Sequence, residues 1–97
     1  MSRIYISGKI TGTTDYMERF ANAEKELTEK GYTVVNPAKV NAQLPPDTSY
    51  RFYMSMSITM LSYCDEIYML QGWELSNGAN QEYKYAVDNN IRIHFQE

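Results

Sequence analysis

Glu82 lies in the stretch GWELSNGANQEYKYA, Gly72 to Ala86, three residues after Ala79 and four before Ala86. Read as a helix, that spacing puts the carboxylate on one face with two small apolar residues, the face a globular protein turns inward. Within two turns of a helix N-terminus such an acid is expected to stay ionised unless it is strongly desolvated. A positioned carboxylate can act as a nucleophile or steady a developing oxocarbenium ion, as in retaining glycoside chemistry. The competing reading turns Glu82 to the helix edge, where it meets Lys84 or solvent. Ser76 fits the N-cap of the same helix, and Gly78 lets a ligand approach the backbone. Free N–H groups at a helix start favour an anion such as a phosphate or a carboxylate. Capping alone also accounts for Ser76.

A second candidate is SGKITG, Ser7 to Gly12, where glycines 8 and 12 allow close backbone approach and Lys9 could meet an anion. It is neither a Walker A loop nor a dinucleotide fingerprint, and an ordinary strand-to-helix turn explains it equally well. Other chemistry-bearing residues read as structural. Asp65 falls at the amino end of a strand, His94 has no acid–base partner visible in the sequence, and Cys64 reads as a small buried apolar residue. Met54, Met56 and Met60 belong to a core face rather than to a ligand set. Tyr5 points to one face of the first strand, and with nine tyrosines in the chain most must pack.

The elements that position these residues alternate. Ile4 to Ser7 is a short strand. DYMERFANAEKELTEKGY then reads as a helix with Asp15 and Glu18 as a capping box, an apolar stripe of Tyr16, Phe20, Ala23 and Leu27, and Gly31 as its stop. YTVVNP is a second strand, and AKVNAQLPPDTS a loop made extended by Pro45 and Pro46. Tyr50 to about Cys64 is a second long helix, with Tyr53, Met56, Met60, Leu61 and Cys64 inward. EIYML is a third strand, Ser76 to Asn89 a third long helix and IRIHF a fourth strand. Such alternation predicts a single α/β domain over residues 1–97, Rossmann-like or flavodoxin-like. Its four-stranded parallel sheet has order 2-1-3-4, with helices on both faces in three layers. Ligands in such sheets collect at the carboxyl ends of the strands. Here that lip is Ser7–Gly12, Asn36–Pro37 and Gly72–Gly78.

Bulk properties narrow the classes. The 97 residues, 43% hydrophobic and 22% charged, suit one small folded domain. A net charge of −3 without a basic run argues against binding a nucleic acid polymer. One cysteine excludes an internal disulfide framework and a cysteine-based zinc site. No run approaches a membrane span and no signal-peptide region shows, so the expectation is a cytoplasmic protein that does not use a membrane.

Taken in order, IYISGKITG, CDEIYML and SNGANQEYKYA resemble the nucleoside 2-deoxyribosyltransferase group over Ile4 to about Ile93. The likeness is nearest to its short bacterial and phage members of unassigned function, and more distant to the deoxynucleoside 5′-monophosphate N-glycosidases. The resemblance implies an enzyme that cleaves or exchanges the N-glycosidic bond of a 2′-deoxynucleoside or its 5′-monophosphate. It makes Glu82 the nucleophile at C1′ and Tyr5 the tyrosine beside it. Ser7, Gly8, Lys9, Ser57, Ser76 and Gly78 then become substrate-binding positions, and Ser76 the phosphate contact. It implies no cofactor, no metal and a homodimer or higher homo-oligomer, for which tyrosines and methionines of the second long helix could supply a face. Two departures stand out. Ser57 occupies the place of an aspartate that assists at the sugar and leaving base, and Thr11 that of an arginine whose bidentate fork Lys9 cannot reproduce. A catalytically inactive module that binds a nucleotide or nucleotide sugar is therefore the alternative.

Overall fold

The computed structural model describes residues 2–97. Four strands, β1 (Arg3–Ser7), β2 (Thr33–Val35), β3 (Glu66–Met69) and β4 (Arg92–Phe95), form one sheet of order β2-β1-β3-β4. All three pairings are parallel, in the register Ile4↔Val34, Tyr5↔Ile67 and Tyr68↔His94. The helices are α1 (Tyr16–Glu29), α2 (Pro37–Asn41), α3 (Tyr50–Ser62) and α4 (Asn77–Asp88), with a 3-10 turn at Trp73–Leu75. This is the expected α/β architecture, with helices on both faces of a parallel sheet.

Strand alternation sorts the core into two halves. Ile4, Ile6, Tyr68 and Leu70 meet Phe20, Ala23 and Leu27 of α1. Tyr5, Ile67 and Met69 meet Leu61 of α3 and Ala79 and Ala86 of α4. The central strands are buried on both sides, which is why they read as continuous apolar runs.

Helix ends follow local chemistry. α1 closes as a Schellman motif: Tyr32 N–H donates to the Leu27 carbonyl (3.1 Å) and Gly31 N–H to the Thr28 carbonyl (3.0 Å). Gly31 sits at φ +96°, a left-handed conformation that its missing Cβ permits. The capping box does not form. Asp15 adopts φ −111°, ψ 12°, not the extended backbone a cap needs, and its carboxylate accepts from Arg19 Nε at 3.1 Å.

Part of the expected loop is a helix. Pro37 opens α2 at a position that needs no N–H donor, and Asn36 caps it by accepting from Ala38 N–H at 3.0 Å. The Asn36 amide also donates to Glu24 of α1 (3.0 Å), so side chains fix where α2 lies. On α3 the buried residues are Ser57 and Leu61, whereas Tyr53, Met56 and Met60 are half-buried. The inward face thus runs through Ser57, and the two methionines flank it.

Candidate functional site

Glu82 faces inward. It is 6% exposed, and α4 can bring it close to the sheet because Ala79 and Ala86, on the same face, are small and fully packed. Beneath it lies β1, where residues 5 and 7 share a face. Tyr5 donates its hydroxyl to Glu82 Oε2 at 2.5 Å, and Ser7 donates to Oε1 at 2.6 Å. Both carboxylate oxygens are therefore held by side chains that are themselves buried, Tyr5 at 0% and Ser7 at 1% exposure.

The electrostatics differ from a simple helix-start acid. Burial drives the Glu82 carboxyl up to about 7, against the pull of the hydrogen bonds from Ser7 and Tyr5. Desolvation outweighs the N-terminal field of α4, so near neutrality the acid divides between its two protonation states. Burial, and then the neighbouring carboxylate, push the Tyr5 phenol well above its ordinary value, which keeps it a donor.

Glu82 opens into a cavity of about 580 Å³ at the carboxyl end of the sheet. That is the size of a small-ligand site. The β1–α1 loop contributes Gly8, Ile10 and Thr11, and α1 contributes Tyr16 and Phe20. Pro37 and Asn41 come from α2; Tyr50, Tyr53, Met54 and Ser57 from α3; Ser76 to Ala79 from the start of α4. The Asn41 side-chain oxygen is buried without a partner, an acceptor in the cavity wall whose hydrogen-bonding capacity is unspent.

Each residue singled out in the sequence has a definite place. Tyr5, Gly8, Ser57, Ser76, Gly78 and Glu82 all border the cavity. Ser7 holds the carboxylate from below. Lys9 lines a separate depression with Asp15, Arg19 and Gly72, and its carbonyl accepts from Arg19 at 2.8 Å. Ser76 Oγ accepts from Ala79 N–H at 3.1 Å, so the serine caps α4 where the helix meets the cavity. Gly78 also serves packing: a Cβ there would stand 3.1 Å from Met54 Sδ and 3.4 Å from Tyr50 Oη. At Gly8 a Cβ would stand 2.9 Å from Leu70 Cδ1, which explains the glycine without a ligand.

Several contributors escaped the sequence reading. Asn41 lay in the segment read as loop, and Tyr16 and Phe20 belonged to a core stripe that continues into the cavity wall. His94 has an acid partner after all: its Nε2 lies 2.5 Å from Glu66 Oε1, and Tyr32 donates to the same oxygen at 3.3 Å. Burial alone would raise Glu66, but hydrogen bonds from Ser2, His94 and Tyr32 hold it below the usual carboxylate range. The trio sits on the opposite sheet face from Glu82, with Glu66 on β3, His94 on the neighbouring β4 and Tyr32 just before β2.

Among the described residues no helix is long and apolar enough to cross a membrane, and no three His, Cys, Asp or Glu side chains gather to hold a metal ion. Residues 2–95 match the DUF4406 family, a domain of unknown function, and the chain belongs to that family. No curated protein and no solved structure matches the chain.

Proposed function

We propose that the protein is an enzyme of 2-deoxyribosyltransferase type, cleaving or exchanging the N-glycosidic bond of a 2′-deoxynucleoside or its 5′-monophosphate. One observation carries the reading: a buried carboxylate, gripped on both oxygens by Tyr5 and Ser7, faces a nucleoside-sized cavity. Burying an acid costs stability, and a fold that needed only packing would place an apolar side chain there. The likeness of IYISGKITG, CDEIYML and SNGANQEYKYA to the 2-deoxyribosyltransferase group supports the same assignment.

In the proposed reaction an oxygen of ionised Glu82 bonds to C1′ as the C1′–N bond breaks; the base leaves with the bonding pair and takes a proton from water, and a glycosyl ester remains. Water or a second base then takes the sugar. Tyr5 and Ser7 fix the carboxylate so that no rotamer search precedes attack. Ser57 and the start of α4 bind the sugar and its 5′ substituent.

The test is release of free base from a panel of deoxynucleosides and their 5′-monophosphates, followed chromatographically, with Glu82→Gln alongside. Release that drops at least ~1,000-fold in the variant supports a nucleophile. Turnover indifferent to the variant removes Glu82 from the chemistry. Ser57 favours a second reading, a binding module without activity, because the cavity then lacks the second acid that retaining glycosidases use. Saturable nucleotide binding with no base release is its signature.

A homo-oligomer belongs to the same proposal. Phe52 and Tyr63, on and just beyond α3, stand 50% and 71% exposed. Light scattering over a concentration series checks this, and a monomer throughout would discard it.

A further inference from the structure

The side-chain charge in the cavity wall is of one sign. Glu82 is the one acidic or basic side chain that borders it among the described residues. Of the nearby bases, Arg19 pairs with Asp15, Lys39 pairs with Glu24, Lys9 lines the neighbouring depression, and Arg51, next to Tyr50 on α3, is exposed and does not border the cavity. The cavity that this carboxylate borders is also lined by Tyr16, Phe20, Tyr50, Tyr53 and Met54. A single negative charge beside aromatic side chains favours a flat cation over a neutral ring of the same shape.

The same wall is short of a proton donor. A neutral purine or pyrimidine leaves a sugar easily only when a general acid protonates it. Here the place beside the nucleophile holds Ser57, whose hydroxyl is far too weak an acid, and no second carboxyl borders the cavity. A base that already carries a positive charge needs no proton to leave.

We propose that the site is built for nucleosides whose base is a cationic heteroaromatic ring, an N7-alkylated purine or a pyridinium, joined to the sugar through nitrogen. This rests on the glycosidic reading above and narrows its substrate. The step balances without an acid. A carboxylate oxygen of Glu82 bonds to C1′ while the C1′–N bond breaks. That bonding pair stays on the ring system, cancels its positive charge, and a neutral base departs. Water then bonds to C1′, the ester C1′–O bond returns its electrons to Glu82, and the water's proton is released.

The decisive comparison holds the sugar constant. 7-Methyl-2′-deoxyguanosine, 2′-deoxyguanosine and 2′-deoxyguanosine 5′-monophosphate are incubated with the protein, and the Glu82→Gln rate is subtracted as background. The expected result is a kcat/KM for the methylated cation at least ~100-fold above either neutral-base substrate, the scale of a missing general acid. Glu82-dependent release of unmodified guanine within ~10-fold of the cation would overturn this inference and leave the glycosidic reading intact. No Glu82-dependent release from any of the three would instead overturn the glycosidic reading. A binding arm then still decides the charge preference. 1-Methylnicotinamide, a cation with no bond to cleave, should bind at least ~10-fold tighter than nicotinamide, and Glu82→Gln should erase the difference. Equal binding of the two overturns the inference.

Discussion

At Glu82, the proposed nucleophile and a structural cost share one side chain. Its carboxylate makes two hydrogen bonds, yet burial still lifts it to about 7. Glu82→Gln keeps the shape and removes the charge, so the folded protein should survive while base release falls by at least ~1,000-fold. Ser57 offers the complementary experiment. It is 5% exposed, borders the cavity with Tyr5 and contributes to the hydrogen bonding of that phenol. Ser57→Asp would supply the acid the cavity lacks, and release of neutral bases should rise by at least ~10-fold, measured as kcat/KM. Unchanged neutral-base turnover in that variant would mean that departure of the base does not limit the reaction. The sequence made Glu82 legible because the spacing of Ala79, Glu82 and Ala86 determines a helix face. It could not reveal that Tyr5 and Ser7 grip both oxygens, since a period of two puts them on one face of β1 without saying which helix covers it. His94 makes the same point. Its partner Glu66 is 28 residues away and is reached only through the β3–β4 register, which no local pattern encodes.

Among the elements, the cavity is set by how closely neighbours approach. Gly78 lets the start of α4 lie against Met54 and Tyr50 of α3. Gly78→Ala should change stability by less than about 1 kcal/mol in chemical denaturation, since the Met54 thioether can move aside and alanine suits a helix better than glycine, and should weaken ligand binding more than it weakens the fold. Gly8 is tighter. An added Cβ meets Leu70 Cβ at 3.0 Å as well as Cδ1 at 2.9 Å, and a Cβ anchored to the backbone cannot swing away. Gly8→Ala should therefore cost about 2 kcal/mol by the same measurement. A null effect at Gly8 would show that the β1–α1 loop yields freely. The long elements were readable because amphipathic periodicity and glycine stops are local properties. α2 was not, since its five residues are too short for periodicity and it is held by tertiary contacts, Asn36 to Glu24 and Lys39 to Glu24. Asp15 failed as a cap for a related reason: the capping-box pattern specifies side-chain types, whereas the backbone of the β1–α1 loop delivers Asp15 with the wrong ψ.

For the whole molecule, the buried acid couples stability to pH in one direction and, on the proposed mechanism, activity in the other. The unfolded chain releases the Glu82 proton near 4.5, while the folded chain keeps it up to about 7. Below the lower value both states are protonated and folding loses nothing. Between the two, the unfolded state has shed a proton the folded state retains, so stability falls as pH rises, and above 7 the loss is complete. The gap corresponds to roughly 3 kcal/mol, a large share of what a domain this size has to spare. Glu82→Gln should abolish that slope. Urea melts at pH 5 and pH 8 should show the variant gaining on the wild type by about 2–3 kcal/mol at the higher pH. A parallel pH dependence in both proteins would place the titration elsewhere. Catalysis runs the other way, because only the ionised acid can attack C1′. On the proposed mechanism kcat/KM rises through about pH 7 as the carboxylate forms, over the range where the fold weakens. A rate already level by pH 6 would mean that bound substrate, rather than the empty cavity, sets the ionisation of Glu82. A cationic substrate lying against the carboxylate would shift the profile in that direction.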